Sequence, residues 1–437
     1  MKPVNIGLLG MGTVGGGTVS VLTRNAEEIM RRAGRGIRIC HAAAKEYNAD
    51  AIHGIDQIGE ITDDAFAVVN NPDVDIVIEL IGGYSPAKEL VLKAIENGKH
   101  VVTANKALIA THGNEIFAAA QEKGVTVAFE AAVAGGIPII KAVREGLAAN
   151  QIDWIAGIIN GTGNYILTEM RDKGRTFDDV LKEAQALGYA ETDPTFDVEG
   201  IDAAHKLTIL GSIAFGIPLQ FDKTYTEGIS KIEQMDVSYA GELGYRIKHL
   251  GITRKTQNGI ELRVHPTLIP HRRLIANVDG VMNAVLVMAD AVGPTLYYGA
   301  GAGSEPTASA VVADVVDVVR ALTTDPGNRV PHLAFQPHEL SDDTILPMDE
   351  VETAYYLRMQ AIDKPGVLAE VTRILGEAGI SIEAILQKEP LPGAEHVPII
   401  FLTQRVKEKN MNAAIKQIEK LDVIDGNIMR IRMETLG

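Results

Sequence analysis

Short aliphatic runs alternating with helical spacing dominate the first third of the chain. Val4-Asn5-Ile6-Gly7-Leu8-Leu9 predicts a strand, and the turn Gly10-Met11-Gly12-Thr13-Val14-Gly15 follows it. From about 13 to 33, Val14, Val19, Val21, Leu22 and Ile29 supply one apolar face of a helix. Further strands are predicted at 37–44, 74–81, 100–103 and 125–133, with helices between them, such as 86–97, ended by Gly98. Near-continuous aliphatic strands alternating with helices specify an α/β fold with a doubly wound parallel sheet.

Past Ala134-Gly135-Gly136-Ile137-Pro138 the rhythm changes. Helices are predicted at about 138–149, 162–173, 176–187, 199–215 and 236–250, with strands at 153–160, 261–268 and 283–292. This is an α+β pattern. A helix at 305–322 follows Gly299-Ala300-Gly301-Ala302-Gly303 and is placed to return to the first domain. Residues 323–350 carry Pro326, Gly327, Pro331, Pro337 and Pro347 with little periodicity, which marks a linker. The rest reads strand 353–361, helix 367–378, strands 380–388 and 396–403, helix 408–420 and strand 425–433. That order, βαββαβ, is a ferredoxin-like unit. The expected domains are therefore 1–135 (completed by about 300–325), 136–300, a linker at 326–350, and 351–437.

At 437 residues the chain has room for about three domains. No apolar run reaches the roughly 18 residues of a membrane span. The start runs straight into a strand without a cleavage site, so a cytoplasmic protein is expected, away from any membrane. The single cysteine, Cys40, excludes an internal disulfide, a cysteine-rich zinc site and an iron–sulfur cluster. A net charge of −16 argues against nucleic acid as partner. A small molecule is the expected partner.

Gly10-x-Gly12-x-x-Gly15 is a weak signal alone, since the chain holds 43 glycines. Its place after the first strand and at the head of a helix strengthens it. Gly10 permits the turn, Gly12 lets the backbone approach a pyrophosphate, and Gly15 allows close packing. The helix start at Thr13 and Val14 offers free N–H groups to phosphate. These features predict a Rossmann-type site for NADP or NAD, with a tight turn that binds no ligand as the alternative. At the end of the second strand Lys45 suits a 2′-phosphate and Glu46 a ribose hydroxyl, so the choice of cofactor stays open.

Carboxylates crowd the segment after Gly188-Tyr189: Glu191, Asp193, Asp197, Glu199 and Asp202. Asp202 and Lys206, spaced i,i+4, share one helical face. An exposed acidic loop with a surface ion pair would carry the same pattern. The wording of the segment, Ala184 to Gly188-Tyr189, Asp193-Pro194, Asp197, Gly200-x-Asp202-x-x-x-Lys206, resembles the signature of homoserine dehydrogenases. The resemblance extends to Thr103-Ala104-Asn105-Lys106, Glu130 to Pro138, Asn160-Gly161-Thr162-Gly163-Asn164-Tyr165-Ile166 and Gly299 to Gly303, over nearly the whole chain in order. Gly163 departs from it, standing where a threonine or other small residue is common.

The resemblance implies interconversion of L-homoserine and L-aspartate 4-semialdehyde, with catalytic roles for Lys206, Lys106 and Asp202. Lys206 would exchange the proton. Glu191, Asp202 and Lys106 would hold substrate, and Lys106, Gly188 and Gly303 would meet the cofactor. Glu130, Val133, Gly135 and Ile137 match positions that bind a sodium ion, though a dry turn fits them nearly as well. Cys40, inside the second strand, is poorly placed to serve as the thioester nucleophile of an aspartate-semialdehyde dehydrogenase. With the glycine turn at residue 10, no fused aspartate kinase is expected ahead of it. Asp363-Lys364-Pro365-Gly366-Val367-Leu368 resembles the effector loop of ACT regulatory domains, with threonine as the implied feedback inhibitor and a homodimer or homotetramer as the implied assembly. A dimerisation module without ligand is the alternative for this tail. For the whole chain the alternatives are a dehydrogenase of another small hydroxy or amino acid, or a silent amino-acid sensor.

Overall fold

The computed structural model describes residues 2–388 and 395–437. The chain divides into two compact units: Met1–Gly161 with Ile201–Thr224 and Val281–Asp343, and Thr162–Gly200 with Tyr225–Gly280 and Thr344–Gly437.

The first unit begins with β1 (Val4–Leu9), α1 (Thr13–Arg24), α2 (Ala26–Ala33), β2 (Ile37–Ala43), β3 (Glu60–Thr62), α3 (Ala65–Asn70), β4 (Ile76–Glu79), α4 (Ala87–Glu96), β5 (His100–Thr103), α5 (Lys106–Lys123) and β6 (Val127–Ala128). Six parallel strands run in the order β3-β2-β1-β4-β5-β6. The order reverses between β1 and β4, which puts a topological switch point at their carboxyl ends. Ile6, Leu8, Ile76 and Ile78 are fully buried, because helices cover both faces of such a sheet. The Ser304–Ala321 helix packs Val311, Val315 and Val319 into the same core as Val19 of α1, so the 305–322 segment does return to the first sheet.

Three expectations for this unit are corrected. The helix placed at 13–33 breaks at Asn25 into α1 and α2. The strand placed at 125–133 pairs only over Val127–Ala128, then turns into a 3-10 segment at Glu130–Ala132. The helix placed at 138–149 is an α-turn, Ile139–Lys141, followed by a π-turn, Ala142–Gly146. In the last two, apolarity reflects burial in a tight irregular segment, which periodicity cannot tell from a regular element. The unit also holds an antiparallel arrangement of Ile152–Ile158, Met282–Ala289 and Gly293–Ala300; the third strand was not expected.

In the second unit Tyr245–Thr256 and Gly259–Pro270 form a long antiparallel hairpin. The helix predicted at 236–250 therefore stops early: Gln234–Glu242 is helical, and a Gly244 at φ 83° leads into a strand. Residues 247–253 of that strand are buried without alternation. Buried Lys248 and His249 break the apolar run, so the segment mimics a helix. Lys248 Nζ is satisfied by the Val278 carbonyl at 2.6 Å and Asp279 Oδ1 at 3.1 Å, and His249 Nε2 lies 2.9 Å from the Glu227 carbonyl.

The tail has the expected βαββαβ order: Glu352–Ile362, Val367–Glu377, Ile382–Gln387, His396–Thr403, Glu408–Ile418 and Ile424–Met433. Its last strand pairs parallel to the hairpin, Thr267 beside Arg432. Buried ion pairs reinforce that seam. Arg432 reaches Glu227 at 2.8 Å and, within the tail itself, Glu408 at 2.5 Å, while Arg358 reaches Asp236 at 2.6 Å. The 326–350 stretch is irregular apart from three short turns and an Ile345 bridge to Ile260.

Candidate active site

The glycine turn sits at the carboxyl end of β1, beside the switch point. A Cβ on Gly10 (φ 93°) would lie 2.8 Å from the Leu80 carbonyl oxygen, and one on Gly15 would lie 2.0 Å from the Gly10 carbonyl oxygen. Only glycine fits at either position. At Gly12 a Cβ would meet nothing within 4 Å, so this face is open where a diphosphate must approach. α1 starts at Thr13 with no acidic residue in its first turn, which leaves its positive end unopposed. Gly303, at φ 122°, precedes Ser304, whose hydroxyl donates to the Thr13 carbonyl at 2.8 Å. Gly303 is thereby brought next to the turn. Lys45 and Glu46 are both exposed just beyond β2.

Two lysines converge on one carboxylate. The Ile201–Phe215 helix carries Asp202 in its first turn, where the dipole favours an anion. Asp202 and Lys206 are both buried, contrary to a surface pair, and Lys206 Nζ lies 2.7 Å from Asp202 Oδ2. Lys106 opens α5 directly after Asn105, which caps that helix by accepting from the Leu108 N–H. Its ammonium, partly exposed, sits 2.8 Å from Asp202 Oδ1. Asn160 adds a hydrogen bond to Asp202 Oδ2 at 2.9 Å, and Lys206 also donates to the Ile159 carbonyl at 2.8 Å. Burial pushes the Asp202 carboxyl up, but the ammonium groups of Lys206 and Lys106 outweigh it and hold the group well below the usual range. His205, stacked on Phe221, is lowered to about 4, first by burial and then by the two lysines, and so is neutral.

The other expected residues fall elsewhere. Glu191 and Gly188 belong to the second unit, where Glu191 is exposed and its carbonyl accepts from Gln185 Nε2 at 3.1 Å. Gly163 is buried in the first turn of the Gly161–Lys173 helix. Glu130, Val133, Gly135 and Ile137 are buried in the first unit. Both oxygens of the Glu130 carboxylate accept backbone N–H groups, from Ile140 at 2.9 Å and Lys141 at 2.8 Å. Burial, with Asp314 nearby, raises Glu130 to about 7, and burial raises Asp314 to about 6. Among the described residues no group of three or more His, Cys, Asp or Glu could hold a metal ion. In the tail Asp363, Pro365, Gly366 and Leu368 are exposed, and Gly366 (φ 95°) caps the Val367–Glu377 helix. Asn160 had no assigned role in the sequence, although the Asn-Gly-Thr wording after a strand pointed at the place.

A dinucleotide turn at a switch point, with a lysine–carboxylate cluster reaching the same sheet edge through α5, defines a class: the nicotinamide-dependent oxidoreductases. Comparison with known proteins narrows it. The model of the homoserine dehydrogenase NAD binding domain matches residues 10–130, that of homoserine dehydrogenase matches 138–316, and that of the ACT domain matches 355–423. The chain is 70% identical over 437 residues to a homoserine dehydrogenase of Pseudomonas aeruginosa, covering 100% of both. A crystal structure of a homoserine dehydrogenase from Thiobacillus denitrificans superposes with a TM-score of 0.95 at 68% identity, over 100% of this chain and 99% of that one. A hyperthermophilic archaeal homoserine dehydrogenase in complex with NADPH superposes at 0.61 and 25% identity, over 72% of this chain and 98% of that one. The chain belongs to the homoserine dehydrogenase family, as an NAD(P)-dependent oxidoreductase of amino-acid biosynthesis with a C-terminal ACT domain. No helix among the described residues is long and apolar enough to cross a membrane.

Proposed function

We propose that the chain interconverts L-homoserine and L-aspartate 4-semialdehyde, with Lys206 exchanging the proton on the substrate oxygen. The observation that carries this reading is the sharing of Asp202 between Lys206 and Lys106. The bound nicotinamide supplies or accepts the hydride. Reduction of the aldehyde builds negative charge on its oxygen, and an ammonium aimed there both stabilises that charge and delivers a proton. Asp202 and the Ile159 carbonyl hold Lys206 in one orientation, which is the geometric requirement for such a donor. Lys106 adds a second positive charge for substrate and cofactor. Glu191 is the proposed partner of the substrate ammonium, and Gly188 the proposed cofactor neighbour.

The dinucleotide is held at Gly10, Gly12, Thr13, Val14, Gly15 and Gly303. Lys45 would suit the 2′-phosphate of NADP and Glu46 a ribose hydroxyl of NAD, and turnover with NADP against NAD at equal concentration decides between them. A sodium ion is proposed at Glu130, Val133, Gly135 and Ile137, where a cation would relieve the two buried, upshifted carboxylates of Glu130 and Asp314. For the tail we propose that threonine binds at Asp363–Leu368 and inhibits, in a homodimer or homotetramer. The proposed domain limits are 1–135 with about 300–325, 136–300, and 351–437 after a linker at 326–350.

Oxidation of homoserine, followed by reduced-cofactor absorbance, tests the central claim. Lys206→Ala is expected to lose a factor of ~10² to 10⁴ in kcat. A variant that kept full turnover would remove Lys206 from its role.

A further inference from the structure

Glu79, fully buried at the end of β4, accepts three hydrogen bonds. Its Oε1 receives the backbone N–H of Ile81 at 2.8 Å and of Gly82 at 3.0 Å, and its Oε2 receives the Thr103 hydroxyl at 2.7 Å. Thr103, at the end of β5, accepts in turn from the Asn105 N–H at 3.0 Å. Asn105 donates its side-chain amide to the Gly83 carbonyl at 2.7 Å. The bonds thus close a ring between the loop after β4 and the start of α5. Lys106 is the next residue.

The loop has its own demands. Gly82 and Gly83 adopt φ of 81° and 68°, so its path is set by left-handed backbone that needs external support. Its Leu80 carbonyl forms the wall that excludes any side chain at Gly10. The Glu79 carboxylate therefore ties the wall of the dinucleotide turn to the helix that presents Lys106. All three of its neighbours donate, so an acceptor-only group suits the place and an amide does not.

We propose that Glu79 and Thr103 are positioning residues for the dehydrogenase reaction, holding the Lys106 ammonium on Asp202 and the 80–83 loop beside the dinucleotide turn. This rests on the role given to Lys106 above. Thr103→Val removes the hydroxyl at nearly constant volume, leaving Glu79 Oε2 and the Asn105 N–H without their partner.

The test is a double-mutant cycle on the full chain with homoserine and cofactor, with melting temperatures measured alongside. Thr103→Val is expected to lower kcat by ~10-fold, Thr103→Ser to restore it within ~3-fold, and Thr103→Val on a Lys106→Ala background to change kcat by less than ~2-fold. Glu79→Gln should follow Thr103→Val. If Lys106→Ala kept wild-type turnover, the role of Lys106 itself would fall. If Lys106→Ala were impaired while Thr103→Val turned over normally, or lowered kcat equally on both backgrounds, the positioning role would fall and that of Lys106 would stand.

Discussion

Arg263 and Glu434, 171 positions apart in the chain, meet at 2.5 Å inside the second unit, with almost no exposure of either side chain. Glu261 adds a contact to Arg263 at 2.9 Å, and Arg254 one to Glu434 at 3.1 Å. The last strand of the ACT domain is thus pinned to the hairpin by buried charge. Removing one partner of such a pair leaves the other buried and uncompensated. Glu434→Ala should cost on the order of 3 kcal/mol or more in denaturant unfolding. A chain cut near residue 345 should fail to give a folded enzyme, which a soluble, active truncation would contradict.

The second and third glycines of the cofactor turn, Gly12 and Gly15, should respond in opposite ways. Gly12→Ala adds a methyl group to open space at an ordinary φ of −72°, so the melting temperature should hold while the cofactor KM rises by ~10-fold. Gly15→Ala drives a methyl into the Gly10 carbonyl and should lower the melting temperature by several degrees, on the order of 2 kcal/mol. Cofactor titration and thermal unfolding of both variants separate the two effects.

Asp202→Asn removes the negative charge that two ammonium groups share. Loss of a neighbouring anion favours the neutral form of a lysine, so the pH profile of homoserine oxidation should move to lower pH. We expect kcat/KM at its optimum to fall about 100-fold as Lys206 and Lys106 lose their orientation. A profile that stayed in place would show that Asp202 does not set the lysine charge state.

Acid should loosen the first unit through two histidines. His100 Nδ1 accepts the Thr126 N–H at 3.0 Å and His332 Nε2 accepts the Val127 N–H at 3.1 Å, so each must be neutral. Burial first, and then Arg329 for His100 and Arg144 for His332, lowers each from 6.5 to about 4. A folded pKa below the unfolded one gives stability that is complete above pH 6.5 and is lost as pH falls through 4. Each contributes at most about 3 kcal/mol over that window. His332→Gln should flatten the slope of unfolding free energy between pH 6.5 and 4.

The proposed inhibition by threonine should depend on Gly366, whose φ of 95° excludes a branched side chain at the head of the Val367–Glu377 helix. Gly366→Val should raise the threonine concentration for half inhibition at least ~10-fold by displacing the helix N-terminus that would receive the effector carboxylate. Initial rates across a threonine series check this, and unchanged sensitivity would place the effector elsewhere.

What was legible in the chain is local. The glycine turn, the i,i+4 pair Asp202–Lys206 and the βαββαβ order of the tail all follow from backbone stereochemistry and side-chain period, which act over a few residues. The tertiary structure decided what those elements meet. Tyr245–Thr256 is a strand because it pairs along its length with Gly259–Pro270, and its buried Lys248 and His249 disguise it. Asp202 gained Lys106 and Asn160, from positions 96 and 42 residues away, only when α5 and the strand before Asn160 were packed against its helix. Pairing, desolvation and charge sharing are set by which surfaces come together, and a linear pattern carries no such distance.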